Sequence, residues 1–260
     1  MYALIMIFPF IFGSLIGSFM NVVVLRMPVN ADFIFDRSGC PRCKSKISWY
    51  DNIPLISFIF LKGKCRSCNE KISWQYPLFE MWHGLLAVLV FLDWVDFTSV
   101  EWATAVAKFF IASIFSVHIL IDLKHQLLLD KLNIALLPFV LALVWLNGSW
   151  SDAAIGAVVG FAFPLFVTWI FYLLRGKIGL GGGDIKLFGV LGLLFGLKGV
   201  LLNLFSSCIA GSVITIILMA TGKVKADQYI PFGPYILLVA LVQLLFPDYF
   251  AQWQNFLIPY

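Results

Sequence analysis

Gly181-Gly182-Gly183-Asp184 lies between two apolar runs, residues 161–174 and 187–197. Three consecutive glycines weaken a helix, because each loses more backbone entropy on folding than any other residue. A carboxylate in hydrocarbon is also unfavourable, by roughly 3 kcal/mol or more at a bilayer centre. Together they offer close backbone approach, freedom to break and re-aim the chain, and an ionisable oxygen at Asp184. The plainer alternative is a loop whose acid caps the next helix.

The surrounding chain decides the medium. Of its 260 residues 61% are hydrophobic and only 12% charged, with a mean hydropathy of +0.94. Soluble domains carry about 25% charged residues, so a soluble domain is excluded. The apolar blocks match a hydrocarbon core that needs about 20 residues per helix. They predict an all-α polytopic membrane protein of about eight transmembrane helices, near 3–25, 77–95, 102–121, 132–147, 153–174, 185–201, 203–221 and 233–247. Residues 1–25 lack a basic leader region and exceed the usual apolar core of a signal peptide, so they read as a retained first helix.

Charge supports this count. Residues 26–76 hold nine of the eighteen Lys and Arg, and later connections alternate basic and non-basic, leaving sixteen on one side. The positive-inside rule makes that side cytoplasmic and turns both termini outward. Trp94, Trp102, Trp145, Trp150 and Trp253 fall at the opposite helix ends, as an aromatic belt would. Residues 53–61 are apolar but too short to span, so they form a small core or an interfacial contact. Lone Cys208 reads as a small buried hydrophobe, and no internal repeat stands out. The chain divides into a first helix, 1–25, a cytoplasmic segment, 26–76, and a helical bundle, 77–260.

Within the cytoplasmic segment, Cys40-Pro-Arg-Cys43 and Cys65-Arg-Ser-Cys68 are separated by 21 residues. Four thiolates so spaced can surround a tetrahedral Zn2+. The basic surroundings favour thiolates, and a cytoplasmic setting disfavours disulfides. With four protein ligands the site has no open position for catalysis, so Cys40, Cys43, Cys65 and Cys68 read as a structural staple.

A second acid, Asp122, ends the third apolar span on the same side as Asp184. If the two meet, both cannot ionise easily; one keeps a proton while the other acts as base. That is the arrangement needed to activate water against a peptide carbonyl. Asp122 could instead pair with Lys124 or Lys131. Asp130 reads as a cap for the fourth span, and His125 as a solvated residue or a proton shuttle.

These residues resemble the bacterial type IV prepilin leader peptidases with bifunctional N-methyltransferase activity. The resemblance rests on Gly13 to Pro28 in the opening helix, the paired cysteine box closing with Tyr76-Pro-Leu-Phe-Glu80, Ile121-Asp122 to Asp130, Gly181-Gly-Gly-Asp184-Ile-Lys186, and Pro231-Phe-Gly-Pro234-Tyr235. It implies an aspartyl protease of the bacterial cytoplasmic membrane, with Asp122 and Asp184 as the catalytic pair and Gly181, Gly182 and Gly183 admitting the substrate strand. The implied substrate is a prepilin or pseudopilin of a pilus, secretion or DNA-uptake pathway. Its basic leader would be cut after glycine on the cytoplasmic side and the new N-terminus methylated from S-adenosylmethionine. No nucleic acid is implied. Glu80 is a candidate for handling the amine, or pairs with Lys71 or Arg26. Many relatives carry an acid where this chain has Lys124 and a proline where it has Leu129, which bears on cleavage pH and local geometry. Rival readings are a peptidase that does not methylate, a transporter using both acids for a cation, and a non-catalytic pilin assembly factor.

Overall fold

The computed structural model describes residues 6–34, 37–92, 98–177, 179–224 and 230–257, with 254–257 described by backbone alone. Among them the regular structure is helical, with turns and irregular connections and two isolated antiparallel bridges, Gly39 with Lys46 and Lys64 with Lys71. It forms two compact units, 1–97 and 98–260.

The first unit contains α1 (Ile7–Arg26), the short α2 (Ile56–Phe60) and α3 (Gln75–Val90). Helices α1 and α3 pack backbone to backbone. A Cβ on Gly13 would strike the His83 carbonyl and lie 2.6 Å from Ala87 Cβ, and one on Gly17 would lie 2.9 Å from His83 Cβ. Small residues permit such contact where lipid supplies no hydrophobic drive between helices. Asn21 ties the helices together, donating to the Tyr76 carbonyl at 3.3 Å and accepting from Gln75 Nε2 at 3.2 Å. Helix α3, which the sequence division groups with 77–260, thus packs on α1. Outward faces are apolar: Phe8, Ile11 and Leu15 on α1, Leu78, Leu85 and Leu89 on α3.

The second unit contains α4 (Ser99–His125), α5 (Asp130–Asn147), α6 (Trp150–Arg175), α7 (Gly182–Ala220), α8 (Gly233–Leu245) and α9 (Pro247–Leu257). Helix α4 begins at a capping box. Thr98 donates its backbone N–H to the Glu101 carboxylate at 2.7 Å, and Glu101 N–H returns to Thr98 Oγ1 at 3.3 Å. The core is built from Phe109, Phe115, Leu136, Phe188, Leu191 and Ile236, all essentially inaccessible. Buried polar groups between α7 and α8 satisfy one another: Asn203 donates to Gln243 Oε1 at 3.4 Å, and Gln243 donates to the Gly199 carbonyl at 3.2 Å.

Helix α7 is not straight. A Cβ on Gly160 of α6 would lie 3.1 Å from both the Phe188 carbonyl carbon and Val200 Cγ2. Twelve residues of straight helix would separate those positions by about 18 Å, so α7 doubles back between them. The break is Gly196, at φ 71°, ψ −174°. Asp152 occupies the space a Cβ would need there and accepts the Leu197 N–H at 3.2 Å, capping the returning half. The sequence runs the two spans almost continuously through Lys198 and Asn203, with Lys198 marking the turn; glycine geometry and the Asp152 cap put it just before, at Gly196.

Among the described residues, five helices can cross a membrane by length and composition, or six if α8 and α9, bent by 105°, count as one span. The difference from eight lies in α3, at 16 residues too short for that test, and in α7, whose 39 residues cover two expected spans. Trp102, Trp145, Trp150 and Trp253 are all exposed, whereas Trp94 lies outside the described residues. Cys208 is exposed rather than buried, because it sits on an apolar outward face of α7 beside Phe205 and Ile209.

Candidate functional site

Asp122 lies in the last turn of α4, which ends where Gln126 adopts a left-handed conformation and donates its N–H to the Asp122 carbonyl at 2.8 Å. Its carboxyl group accepts the N–H of Gly233, the first residue of α8. A side chain at 233 would drive a Cβ into that carboxylate, so glycine is required for the amide to reach it. Asp184 occupies the third position of α7 and accepts the Gly181 N–H at 3.2 Å. It therefore caps the helix, as the plainer sequence reading expects, and it also lies within electrostatic range of Asp122. Both acids are nearly buried, at 5% and 6% exposure.

Leu128 closes the gap between the two helix ends. A Cβ on Gly183 would fall 2.8 Å from Leu128 Cβ, and one on Gly233 would fall 3.2 Å from Leu128 Cδ1. Gly182 is different, since a Cβ there meets nothing within 4 Å. Two of the three glycines are thus crowded by the protein, and the middle one faces open space. Asp130 is not the cap of α5, where Leu129 takes that place; its carboxylate receives, at 2.7 Å, the Nζ of Lys186, two residues beyond Asp184. The sequence alone does not mark the Gly233 amide or Leu128 as parts of this site. Gly233 carried a signal, the Pro231-Phe-Gly-Pro234 run, but Leu128 is one leucine among three.

In the first unit, the four predicted cysteines converge, with all Sγ atoms within 4.8 Å of one another. Cys40 Sγ and Cys68 Sγ are 3.8 Å apart. A tetrahedron with Zn–S bonds of about 2.3 Å has edges of about 3.8 Å, so the cluster fits zinc. Each knuckle is the same turn. Cys40 N–H donates to the Ser45 carbonyl and Lys44 N–H to the Cys40 carbonyl; Cys65 N–H donates to Glu70 and Asn69 N–H to Cys65. Lys44 and Asn69 take matching positive φ, 59° and 57°. The cause is a local repeat in the sequence, which corrects the expectation of none: Cys-x-x-Cys-x-x-Lys-Ile-Ser-Trp occurs at 40–49 and again at 65–74.

The four close sulfurs shift one another's acidity in opposite directions. The Ser45 hydroxyl holds Cys43 down to about 6. Cys68 is pushed up to about 12: the Glu70 amide favours its thiolate, but burial and the neighbouring sulfurs outweigh it. A divalent cation among the four sulfurs would let them bind it as thiolates. Arg66 braces the box through both oxygens of Asp51, at 2.6 and 2.8 Å, and its guanidinium holds that carboxyl below the ordinary range.

Glu80 is buried in the second turn of α3 and pairs with neither Arg26 nor Lys71. It accepts the Leu55 N–H at 2.8 Å and the Ser18 hydroxyl. Arg26 turns instead to the Asp32 and Arg37 carbonyls. Leu55 has φ 61° and ψ −48°, and around it Ile56 N–H donates to the Pro54 carbonyl at 2.6 Å. That is a tight three-residue turn in a strained region of backbone space, aimed at the Glu80 carboxylate.

The chain matches two family models, "Bacterial Peptidase A24 N-terminal domain" over residues 11–94 and "Type IV leader peptidase family" over residues 109–216. A protein of Aeromonas salmonicida named prepilin leader peptidase/N-methyltransferase is 33% identical over 94% of this chain and 91% of its own length. Proteins with the same name are 34% identical in Aeromonas hydrophila (95% and 93%) and 33% identical in Pseudomonas aeruginosa (91% and 88%). No solved structure matches. With the cysteine box inside the first matched region and both acids inside the second, at such identity over nearly the whole length, the chain belongs to the type IV leader peptidase family.

Proposed function

We propose that this protein is a membrane endopeptidase of the bacterial inner membrane. It removes the basic leader of a prepilin or pseudopilin after glycine, on the cytoplasmic side, using Asp122 and Asp184. The observation that carries this reading is that two acids 62 positions apart, at the ends of α4 and α7, lie within electrostatic range of each other, each beside a glycine, Gly233 and Gly181.

In the proposed chemistry the pair shares one proton. The ionised carboxylate takes a proton from water as its oxygen attacks the scissile carbonyl carbon, and the protonated partner donates to the carbonyl oxygen. The tetrahedral intermediate then collapses, the C–N bond breaks, and a proton passes from the dyad to the leaving amine. The dyad titrates as a unit, so neither proton belongs to a named residue. Gly233 N–H orients Asp122 and Gly181 N–H orients Asp184. The open space at Gly182 gives an extended substrate strand a path to both.

The freed amine is the substrate for methylation. S-adenosylmethionine supplies an electrophilic methyl group when bound. Glu80, held by Leu55 and Ser18, orients the amine or takes the proton it loses. Zinc on Cys40, Cys43, Cys65 and Cys68 holds segment 38–74 in one shape and takes no part in either reaction.

Mass spectrometry of a model prepilin incubated with the protein, with and without S-adenosylmethionine, tests both activities. A cut after glycine and a gain of one methylene mass support the full reading. A cut without that gain removes the methyltransferase. No cut by zinc-loaded protein overturns the peptidase.

A further inference from the structure

Helix α2 is amphipathic in the wrong direction for a soluble loop. Its buried side chain is polar: Ser57, whose hydroxyl donates to the Tyr50 carbonyl at 2.9 Å. Its exposed face carries Ile56, Ile59 and Phe60, three large apolar residues one helical turn apart. Ile59 is 72% exposed and Phe60 80%. Beside this face opens a groove of about 810 Å3. Phe58 and Trp74 wall it, with ring centroids 5.0 Å apart, and Lys62, Lys64 and Lys71 rim it. Among the described residues no acid lines it, and Glu70 is directed toward Arg42 at 3.9 Å.

The depth of this patch follows from Glu80. The Leu55 N–H that begins α2 binds Glu80 in the second turn of α3, next to Leu78 and Met81, the first outward apolar residues of that helix. The apolar face of α2 therefore lies where α3 enters the hydrocarbon, with the lysines just outside. Apolar residues below and lysines above suit an anionic bilayer surface. The same lysines repel a basic leader peptide and a sulfonium cofactor.

We propose that α2 and the Lys62–Lys64–Lys71 groove form an interfacial foot, which seats the zinc-bound segment on anionic phospholipid headgroups and buries Ile56, Ile59 and Phe60 among the upper acyl chains. This inference does not depend on either enzymatic activity.

The test uses the full zinc-loaded chain. Native mass spectrometry compares phosphatidylglycerol with phosphatidylcholine. Amide exchange over residues 56–61 is followed in nanodiscs of phosphatidylcholine with and without phosphatidylglycerol. Wild type should prefer phosphatidylglycerol and exchange more slowly in its presence. Lys62→Gln with Lys71→Gln should reduce the preference about fivefold per lysine while keeping zinc bound. Phe60→Ser should speed exchange in both bilayers with the headgroup preference retained. Equal binding of the two lipids by wild type would overturn the proposal. So would protection reproduced by free glycerol phosphate in phosphatidylcholine discs, which would mark a soluble-anion site.

Discussion

The cysteine box and the aspartate site position their polar groups by opposite means. In the box each pair of thiols rides on one ten-residue hairpin, and the hairpin's own amides set its angle. Two copies then face each other, and a single metal ion can lock them. At the aspartate site no local turn creates the geometry. Asp122 comes from the end of α4, Asp184 from the start of α7, the orienting amide from α8 and the filler from Leu128. The box can form from one stretch of chain, whereas the aspartate site exists only once several helices have packed. Damage to the first should stay local, and the second should be sensitive to atoms that touch no substrate.

The largest expected effect is on the box. Cys40→Ser with Cys65→Ser should abolish zinc binding, measured by metal analysis, and open segment 38–74 to proteolysis, since structural zinc supplies on the order of 10 kcal/mol of folding energy. Residues 98–260 should keep their protease resistance. Losing it as well would break the contrast.

Next comes the aspartate site. Gly233→Ala should lower cleavage about 100-fold, as a displacement of about 1 Å can, because its Cβ displaces the Asp122 carboxylate; thermal unfolding should move little. Gly182→Ala sharpens the point. Its Cβ meets no atom of the protein, so stability should hold, and slower cleavage would assign that space to substrate.

A smaller effect concerns acid. Arg66 depresses the folded value of Asp51, so their pairing stabilises the box fully above the unfolded carboxylate value and is lost as pH falls through the folded one. Zinc release on acid titration should therefore begin at higher pH in Asp51→Asn than in wild type. The smallest effect is expected at Lys186→Ala. Its pair with Asp130 is half exposed on both sides and contributes about 1 kcal/mol or less, so cleavage should change only a few-fold.

What could be read from the chain follows the same division. Composition and charge alternation are enough for an all-helical membrane protein, because lipid admits few alternatives. The cysteine box is legible because spacing along the chain is its geometry, although the repeat that builds both knuckles is easily overlooked beside the cysteines. Asp122 and Asp184 stand out as acids at apolar helix ends, but their meeting depends on topology. Leu128 is invisible, and Gly233 is flagged only by its Pro-Phe-Gly-Pro run, because nothing local marks which helix end will arrive. The α7 turn is misplaced for a related reason: an unbroken apolar run hides it, and only the φ of Gly196 and the distant Asp152 fix it.

The most direct test of the central claim is the initial rate of cleavage of a model prepilin by wild type, Asp122→Asn and Asp184→Asn, each zinc-loaded and equally stable. Asparagine keeps the shape and removes the shared proton. The account predicts that each variant loses at least about 100-fold in rate. Either variant cutting within a few-fold of wild type would contradict it.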